Sequence, residues 1–301
     1  MSKVKVAVLM GGPDAEHDVS IQSGTAVADA LEKSDNFEVI RLHLQHVTVK
    51  ELAALRADVF FPVLHGPYGE GGPLQELLEQ TGVPFVGSSS IAAARAMDKE
   101  CTKEIAQSVG IQTPAWSVLT EEQPCPIVPP LVLKPCNDGS SIDMAICKTA
   151  RDVQTARKLL HKNRDSLLAE TYISGREITV SIINGKPLPI IEIIPAKEVQ
   201  TYDFAAKYKR NDTQYIVNPD LPQNNCVESA LLLYQTMHIR DIARVDFMFD
   251  NDGAWLLEVN TMPGFTNNSL VPMAAKSAGI EMIQLCSKLV KLALTRRVKS
   301  Y

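Results

Sequence analysis

Apolar and polar positions alternate in blocks along the first third of the chain. VKVAVLM is a short, largely apolar run that leads into the glycine turn GGPDAEHD, and VSIQSGTAVADALEK then repeats apolar residues at helical spacing. FEVIRLHL, VKELAALR, DVFFPVL, the glycine-rich turn HGPYGEGG and PLQELLEQ continue as strand, short helix, strand, turn and helix. Apolar runs bounded by turn residues predict buried strands, and apolar residues three and four apart predict helices with one buried face. Strands alternating with helices predict a parallel sheet covered on both faces. In such sheets ligands gather beyond the carboxyl ends of the strands, where GGPDAEHD and HGPYGEGG fall.

The pattern changes near residue 95. MDKECTKEIAQSVG reads as a helix ending at a glycine, followed by WSVL, a proline-rich link (PCPIVPP), the strand LVLKP and the loop CNDGSSIDMA. RDVQTARKLLHK is a helix and SLLAETYI a strand. From residue 176 the chain is strand-rich (EITVSII, PLPIIEIIP), then passes a polar loop, the helix VESALLLYQTMHI, a two-strand unit and a final helix, MIQLCSKLVKLALTRR. The expectation is an α/β chain of three lobes: an N-terminal parallel-sheet domain over 1–95, a small central lobe over 96–175 and a C-terminal lobe over 176–301. There is no internal repeat and no low-complexity tail.

Composition narrows the classes. At 301 residues, 45% hydrophobic and 22% charged, the chain has the make-up of an ordinary soluble protein. A net charge of -5, with no basic stripe carrying interleaved aromatics, argues against a nucleic-acid partner. No apolar run approaches the ~20 residues that span a bilayer. The N-terminal run leads straight into a glycine turn and reads as a buried strand, not a signal peptide, so a cytoplasmic protein with no membrane partner is expected. The six cysteines (Cys101, Cys125, Cys136, Cys147, Cys226 and Cys286) are scattered, with neither metal-ligand spacing nor a disulfide framework.

The sharpest chemistry lies in RVDFMFDNDGAWLLEVNTMPGF. Strand alternation puts Arg244, Asp246 and Met248 on one face, and Leu256, Glu258 and Asn260 on one face of the returning run. DNDG is a hairpin signal. A strict two-residue turn on Asn251-Asp252 would set Asp246 and Glu258 on opposite faces. A longer connection or a bulge at Gly253 would bring them together, and that is the expectation. Two carboxylates and an amide oxygen on one face form a hard-oxygen set suited to Mg²⁺, and Arg244 beside them adds fixed positive charge. Lys134 ends an apolar strand ahead of a glycine loop, which sets an ammonium beside backbone N–H groups in a phosphate-binding arrangement. Lys99 opens a helix, and Glu170 and Glu177 flank TYISGR, where an interlobe hinge would meet a nucleoside. The dinucleotide fingerprint and the P-loop are both absent in the required context, so a nucleotide would need another fold.

With these residues assembled, the chain closely resembles the D-alanine–D-alanine ligases of the ATP-grasp superfamily. VAVLMGGPDAEHDVSIQSG, HGPYGE, MDK, LKPCNDGSS, ETYISGREITV, YDFAAKY, RVDFMF, LEVNTMPGFT and SLVPMAA occur in order over nearly the whole length. The resemblance implies a three-lobed ATP-grasp fold: the N-terminal α/β sheet domain plus two α+β lobes clasping ATP. It implies an ADP-forming ligase for peptidoglycan precursors. ATP phosphorylates the carboxylate of one D-alanine, and the amine of a second attacks the acyl phosphate.

Carried over position by position, the resemblance places Lys99, Lys134, Ser141 and Lys207 at the ATP phosphates, Glu170 and Ile173 at the adenine, and Glu177 at the ribose. Asp246, Glu258 and Asn260 would hold two Mg²⁺ ions, with Mn²⁺ able to substitute. Glu16 would bind the ammonium of the first D-alanine and His65 its carboxylate. Arg244 and the N–H of Gly264 would stabilise the oxyanion, and Ser269 with Leu270 would bind the second substrate. Ser140 and Tyr208 would join Glu16 in a triad that fastens a closed loop, with Tyr208 of the type that favours an amine nucleophile over a hydroxyl. A homodimer is implied by resemblance alone.

Four positions depart from the family pattern: Asp14 for Ser, Gly71 for Asp, Ile142-Asp143 for Val-Gly, and Asn268 for His. The Gly-to-Asp change is the sharpest, because it sets a Cβ and a charge beside a phosphate loop. Alternatives to D-alanyl-D-alanine synthesis are therefore a ligase for another amino-acid or hydroxy-acid pair, and a non-catalytic nucleotide-binding descendant. The complete set of Arg244, Asp246, Glu258, Asn260, Lys99 and Lys134 argues against the last.

Overall fold

A computed structural model of the protein describes residues 3–139, 143–195, 212–221, 225–266 and 268–296. The first unit runs β1 (Val4–Gly11), α1 (His17–Glu32), β2 (Phe37–Leu44), α2 (Val49–Ala54), β3 (Val59–Pro62), α3 (Gly66–Glu70), α4 (Pro73–Thr81) and α5 (Ser90–Met97). Its sheet is parallel, in the order β2-β1-β3. β1 is buried on both faces, which is why it reads as an apolar run. Val6, Val8 and Met10 share a core with Val27 and Leu31 of α1, while Ala7 and Leu9 pack with Leu52 of α2 and with Leu74 and Leu78 of α4.

The chain continues through α6 (Lys99–Ser108), β4 (Trp116–Leu119), β5 (Leu131–Pro135), β6 (Ala145–Cys147), α7 (Ala150–Leu160) and β7 (Leu167–Thr171). These strands form an antiparallel sheet, β4-β7-β5-β6, with Val153 and Leu160 of α7 in its core. The third sheet is built from β8 (Arg176–Ile183), β9 (Lys186–Pro187), β10 (Ile191–Ile194), β11 (Gln214–Val217), β12 (Ile242–Asp250) and β13 (Gly253–Asn260). Its order is β11-β10-β8-β12-β13, with β9 on β8. Ile178, Val180, Val245 and Phe247 bury one face against Ala230 and Leu233 of α8 (Cys226–Thr236). The opposite face carries Thr179, Ser181, Arg244 and Asp246, and turns toward the four-stranded sheet. After α9 (Leu270–Ser277), α10 (Met282–Thr295) returns to cover the first sheet through Leu285, Leu289 and Val290.

The mixed architecture agrees with the expected fold class, and three local readings change. HGPYGEGG is not only a turn, since it contains the short helix α3, whose third amide is capped from outside by Asp14: Tyr68 N–H donates to Asp14 Oδ2 at 2.8 Å. The MDK helix starts at Lys99, with Asp98 as its cap accepting from Cys101 N–H at 3.1 Å. Elements also form where the polar/apolar pattern is weak. α5 is alanine-rich, β6 has three residues, and α9 carries Pro272 in its first turn, where proline is tolerated.

Candidate active site

The acidic hairpin brings Asp246 and Glu258 opposite each other, but not through a bulge at Gly253. The turn is a strict two-residue one: Asp250 pairs with Gly253, and the register runs regularly to Phe247–Leu256. Asp250 Oδ1 accepts from Asp252 N–H and from Trp255 Nε1, each at 2.9 Å, and these bonds fix the tight tip. The extra residue is Leu257, after which Asp246 pairs with Glu258 and Arg244 with Asn260. The alternation is thereby reset. Leu256 belongs to the buried back face, not to the face of Glu258, whereas Leu257 and Glu258 both line the cleft.

Asp246 is the hub of the polar face. Its carboxylate accepts from Thr179 Oγ1 at 2.6 Å, from Arg244 Nε at 3.0 Å and Nη2 at 2.8 Å, and from Asn260 Nδ2 at 3.2 Å. Glu258 Oε2 lies 3.5 Å from the Nζ of Lys99. With its amide nitrogen committed to Asp246, Asn260 has its carbonyl oxygen as the remaining side-chain donor to a cation. Two facing carboxylates and one amide oxygen fit Mg²⁺, which takes few protein oxygens and leaves the rest to water and phosphate.

Across the cleft, Lys99 Nζ donates to the carbonyl of Asp138 at 2.6 Å, and Lys134 pairs with Glu170 Oε1. Glu170 is buried, and its Oε2 lies 2.8 Å from the Nζ of Lys103. Burial alone would raise this carboxyl, but the ammonium groups of Lys134 and Lys103 outweigh it and hold it down at about 2. Sequence reading missed Lys103. The available signal was its spacing, four residues beyond Lys99 and therefore on the same helical face. The cleft between the two antiparallel sheets has a volume of about 370 Å³. Val132, Met144, Ile173 and Leu257 give it apolar walls, Glu177 lies at its rim, and Lys99, Lys134, Asp246 and Glu258 make one end polar.

A second group of predicted residues meets near the loop edges of the parallel sheet. His65 is buried, its Nδ1 is 3.0 Å from the Met262 carbonyl, and its Nε2 has no hydrogen-bond partner among the described residues. Burial pushes its pKa down, which favours the neutral ring. Glu70 accepts from the N–H groups of Gly66 and Met262, both at 3.3 Å; burial, and then the neighbouring Glu16, push it up to about 8. Glu16 is buried and meets the phosphate-loop segment closely, since a Cβ on Gly139 would sit 2.8 Å from its Oε2. Gly264 is similarly tight against Ser269, whose Oγ accepts from Thr266 N–H at 2.9 Å. The Leu270 side chain lies in the core, which leaves only its backbone at the start of α9 for a ligand. Ser140, Ser141, Lys207 and Tyr208 lie outside the described residues.

Three of the four departures have a local account. Asp14 caps α3. Gly71 is confined, because a Cβ there would lie 2.4 Å from the Pro67 carbonyl oxygen. Asp143 keeps the left-handed turn, with φ +58°, and its carboxylate meets Arg164 Nη2 at 3.2 Å; Arg164 also pairs with Asp138. Asn268 is exposed ahead of α9, and nothing in the structure explains its replacement of histidine. Because the Asp143 charge is turned onto an arginine, Asp143→Gly should change the KM for ATP by no more than about threefold. An exposed ion pair contributes ~0.2–1 kcal/mol, and glycine offsets its loss by accepting positive φ without strain. ATP titrations and thermal melts test this, and a much larger rise in KM would mean that the carboxylate shapes the nucleotide site.

Comparison with known proteins places this geometry in a family. Residues 105–291 match the model described as D-ala D-ala ligase C-terminus, and residues 45–88 the model described as D-ala D-ala ligase N-terminus. The chain is 35% identical over 303 residues to the D-alanine–D-alanine ligase of Syntrophotalea carbinolica, covering 99% of this chain and 98% of that one. It is 36% identical over 293 residues to that of Aquifex aeolicus, covering 95% and 100%. Among solved structures it resembles the Bacillus anthracis D-alanine–D-alanine ligase complexed with ATP, at 31% identity and a TM-score of 0.85, with 98% of each chain covered. The Coxiella burnetii D-alanine–D-alanine ligase, at 24% identity and a TM-score of 0.83, shares the fold.

Proposed function

The chain belongs to the D-alanine–D-alanine ligase family, and from that premise we propose that it uses ATP to join two D-alanines into D-alanyl-D-alanine, releasing ADP and phosphate for peptidoglycan precursor synthesis. The observation that carries the reading is a cleft with apolar walls, two lysines on one side, and the Asp246–Glu258 pair with Arg244 on the other. A purine fits between Val132, Met144, Ile173 and Leu257, with Glu177 at the ribose. The phosphates then run toward Lys99 and Lys134.

Asp246, Glu258 and Asn260 would hold two Mg²⁺ ions, or Mn²⁺ in their place, which when bound offset the negative charge of the phosphates. Glu16 receives the ammonium of the first D-alanine, and the buried His65 faces its carboxylate. One oxygen of that carboxylate attacks the γ-phosphorus, the bond to the β,γ-bridging oxygen breaks, and ADP leaves. The carboxylate oxygen is now part of a good leaving group. The amine of the second D-alanine, held through its own carboxylate at Ser269 and the backbone of Leu270, attacks the acyl carbon. Arg244 and the N–H of Gly264 stabilise the oxyanion, and phosphate departs, taking the proton that the amine gives up, as the amide forms. Water must be excluded, because it would hydrolyse the acyl phosphate. Ser140, Ser141, Lys207 and Tyr208 are proposed to complete the enclosure, with Tyr208 favouring the amine nucleophile. Among the described residues no helix is long and apolar enough to cross a membrane, and a cytoplasmic homodimer is proposed from family likeness.

The test is ADP release from ATP and Mg²⁺ with single D- and L-amino acids, with pairs, and with D-alanine plus D-lactate near neutral pH. One dipeptide per ADP with D-alanine is expected. Release only with another pair, or predominant depsipeptide, would replace the substrate assignment, and no release with any acceptor would favour a binding protein.

A further inference from the structure

Two buried lysines share one buried carboxylate beside the nucleotide cleft, and only one of them lines it. Lys134 faces the cleft, whereas Lys103 is fully buried behind Glu170. We propose that Lys103 is a positioning residue that neutralises Glu170, so that Lys134 keeps its positive charge for an anionic ligand; this rests on reading the cleft as an ATP site.

The electrostatics are simple. Lys134 and Glu170 alone would form a neutral buried pair whose field largely cancels within a few ångströms. A second ammonium, 2.8 Å from Glu170 Oε2, leaves the group of two ammoniums and one carboxylate with one net positive charge. That charge sits at the polar end of the slot, where phosphate oxygens would lie. Burial pushes the pKa of Lys103 down, and the Glu170 carboxylate is the main influence that opposes it and holds the proton on the ammonium. Like charges are costly to bury unless compensated, and the other contacts of Lys103 add to that compensation. Its Nζ donates to Thr113 Oγ1 at 2.7 Å, and the ring of Trp116 lies 5.5 Å away. Thr113 Oγ1 in turn donates to the Leu256 carbonyl of β13 at 2.9 Å, so the ammonium is held from three elements. Glu170, held at about 2, stays ionised throughout the working pH range. A purely structural role for Lys103 would tie α6 to β13 without any preference for charged ligands, and that difference is measurable.

The experiment compares calorimetric binding of ATP and adenosine to wild type, Lys103→Met, Lys103→Arg and the double variant Lys103→Met/Glu170→Gln. Removing a unit charge several ångströms from a phosphate at the effective dielectric of such a site should weaken ATP binding on the order of tenfold in Lys103→Met. Adenosine, which carries no charge, should change by less than about twofold on the same grounds. Lys103→Arg keeps the charge and should retain most of the ATP affinity. In the double variant the side chain at position 170 is a neutral amide, Lys134 again carries the net charge, and the ratio of ATP to adenosine affinity should return toward that of wild type, whatever the amide does to adenine contacts common to both ligands. Equal losses for ATP and adenosine, or no recovery in the double variant, would overturn the inference. If Lys103→Met does not fold, the arginine and double variants carry the same test, because neither leaves a carboxylate short of compensation. A wild-type protein that binds adenosine but not ATP, or neither, would overturn the nucleotide reading itself. That outcome is distinct from a wild type that binds ATP and a Lys103→Met variant that binds it equally well.

Discussion

Asp246→Asn should abolish most of the ligase activity, lowering the kcat for ADP formation by about 10²–10³-fold, the range seen when one preorganised group that stabilises the transition state is lost. Asp246 binds Arg244 through two oxygens, accepts from Thr179 and Asn260, and stands opposite Glu258. An amide in its place removes one of the two facing carboxylate charges and turns an N–H₂ toward donors already aimed at it. Arg244 then loses its paired contact with the Asp246 carboxylate, so the oxyanion site and the hard-oxygen set are damaged together. The Mg²⁺ concentration needed for half-maximal rate should rise in parallel. Asp252→Asn, at the exposed hairpin tip, serves as the control and should leave the rate unchanged. A variant Asp246→Asn that is folded and keeps more than a tenth of the wild-type rate would move the chemistry away from this hairpin.

Phe265→Ala should be the most destabilising of the single changes considered, by about 3–5 kcal/mol, the usual cost of truncating a buried phenylalanine. The side chain is 1% exposed and meets Phe61 of β3 edge to face, with ring centres 5.6 Å apart and planes at 84°. Its amide donates to Ser23 Oγ on α1 at 3.1 Å. One residue thus fastens the segment carrying Gly264 to the parallel sheet and to the first helix. Urea unfolding measures the loss of stability, and at temperatures where the variant remains folded the KM for the second D-alanine should rise. A loss below about 1 kcal/mol would show that the core collapses around the gap, as well-relaxing sites do.

The parallel sheet was legible in the sequence because β1 and β3 are buried on both faces and carry largely apolar runs, as in VFFP, and because strands alternate with helices; β2, half-exposed, was legible only by that alternation. The Asp246–Glu258 pairing was legible as an outcome, since both carboxylates belong to one polar face. Its cause was not. DNDG allows several registers, and the choice was made by the fit of Leu256 into the core beside Phe247, a contact outside the turn. Long-range partners escaped for the same reason. The α3 helix takes its cap from Asp14, the first sheet takes part of its cover from α10, and the environment of Glu170 depends on Lys103, a residue 67 positions earlier that the alternation of β7 does not mention. Family resemblance supplied roles for Glu16, His65 and Gly264 that periodicity could not. The same resemblance made Asp143 look intrusive, until its positive φ and its arginine partner showed how the chain accommodates it.

The bulge at Leu257 has a practical corollary for the hairpin end. The rungs from Phe247–Leu256 out to Asp250–Gly253 form a regular spacer between the tip and the carboxylates, and the strand offset is absorbed on the inner side of that spacer. A fluorophore or short affinity sequence attached at Asp252 would therefore ride on the same sheet as Asp246 and Glu258 without shifting their pairing. That makes the tip a natural reporter position for following nucleotide binding in the unmodified site.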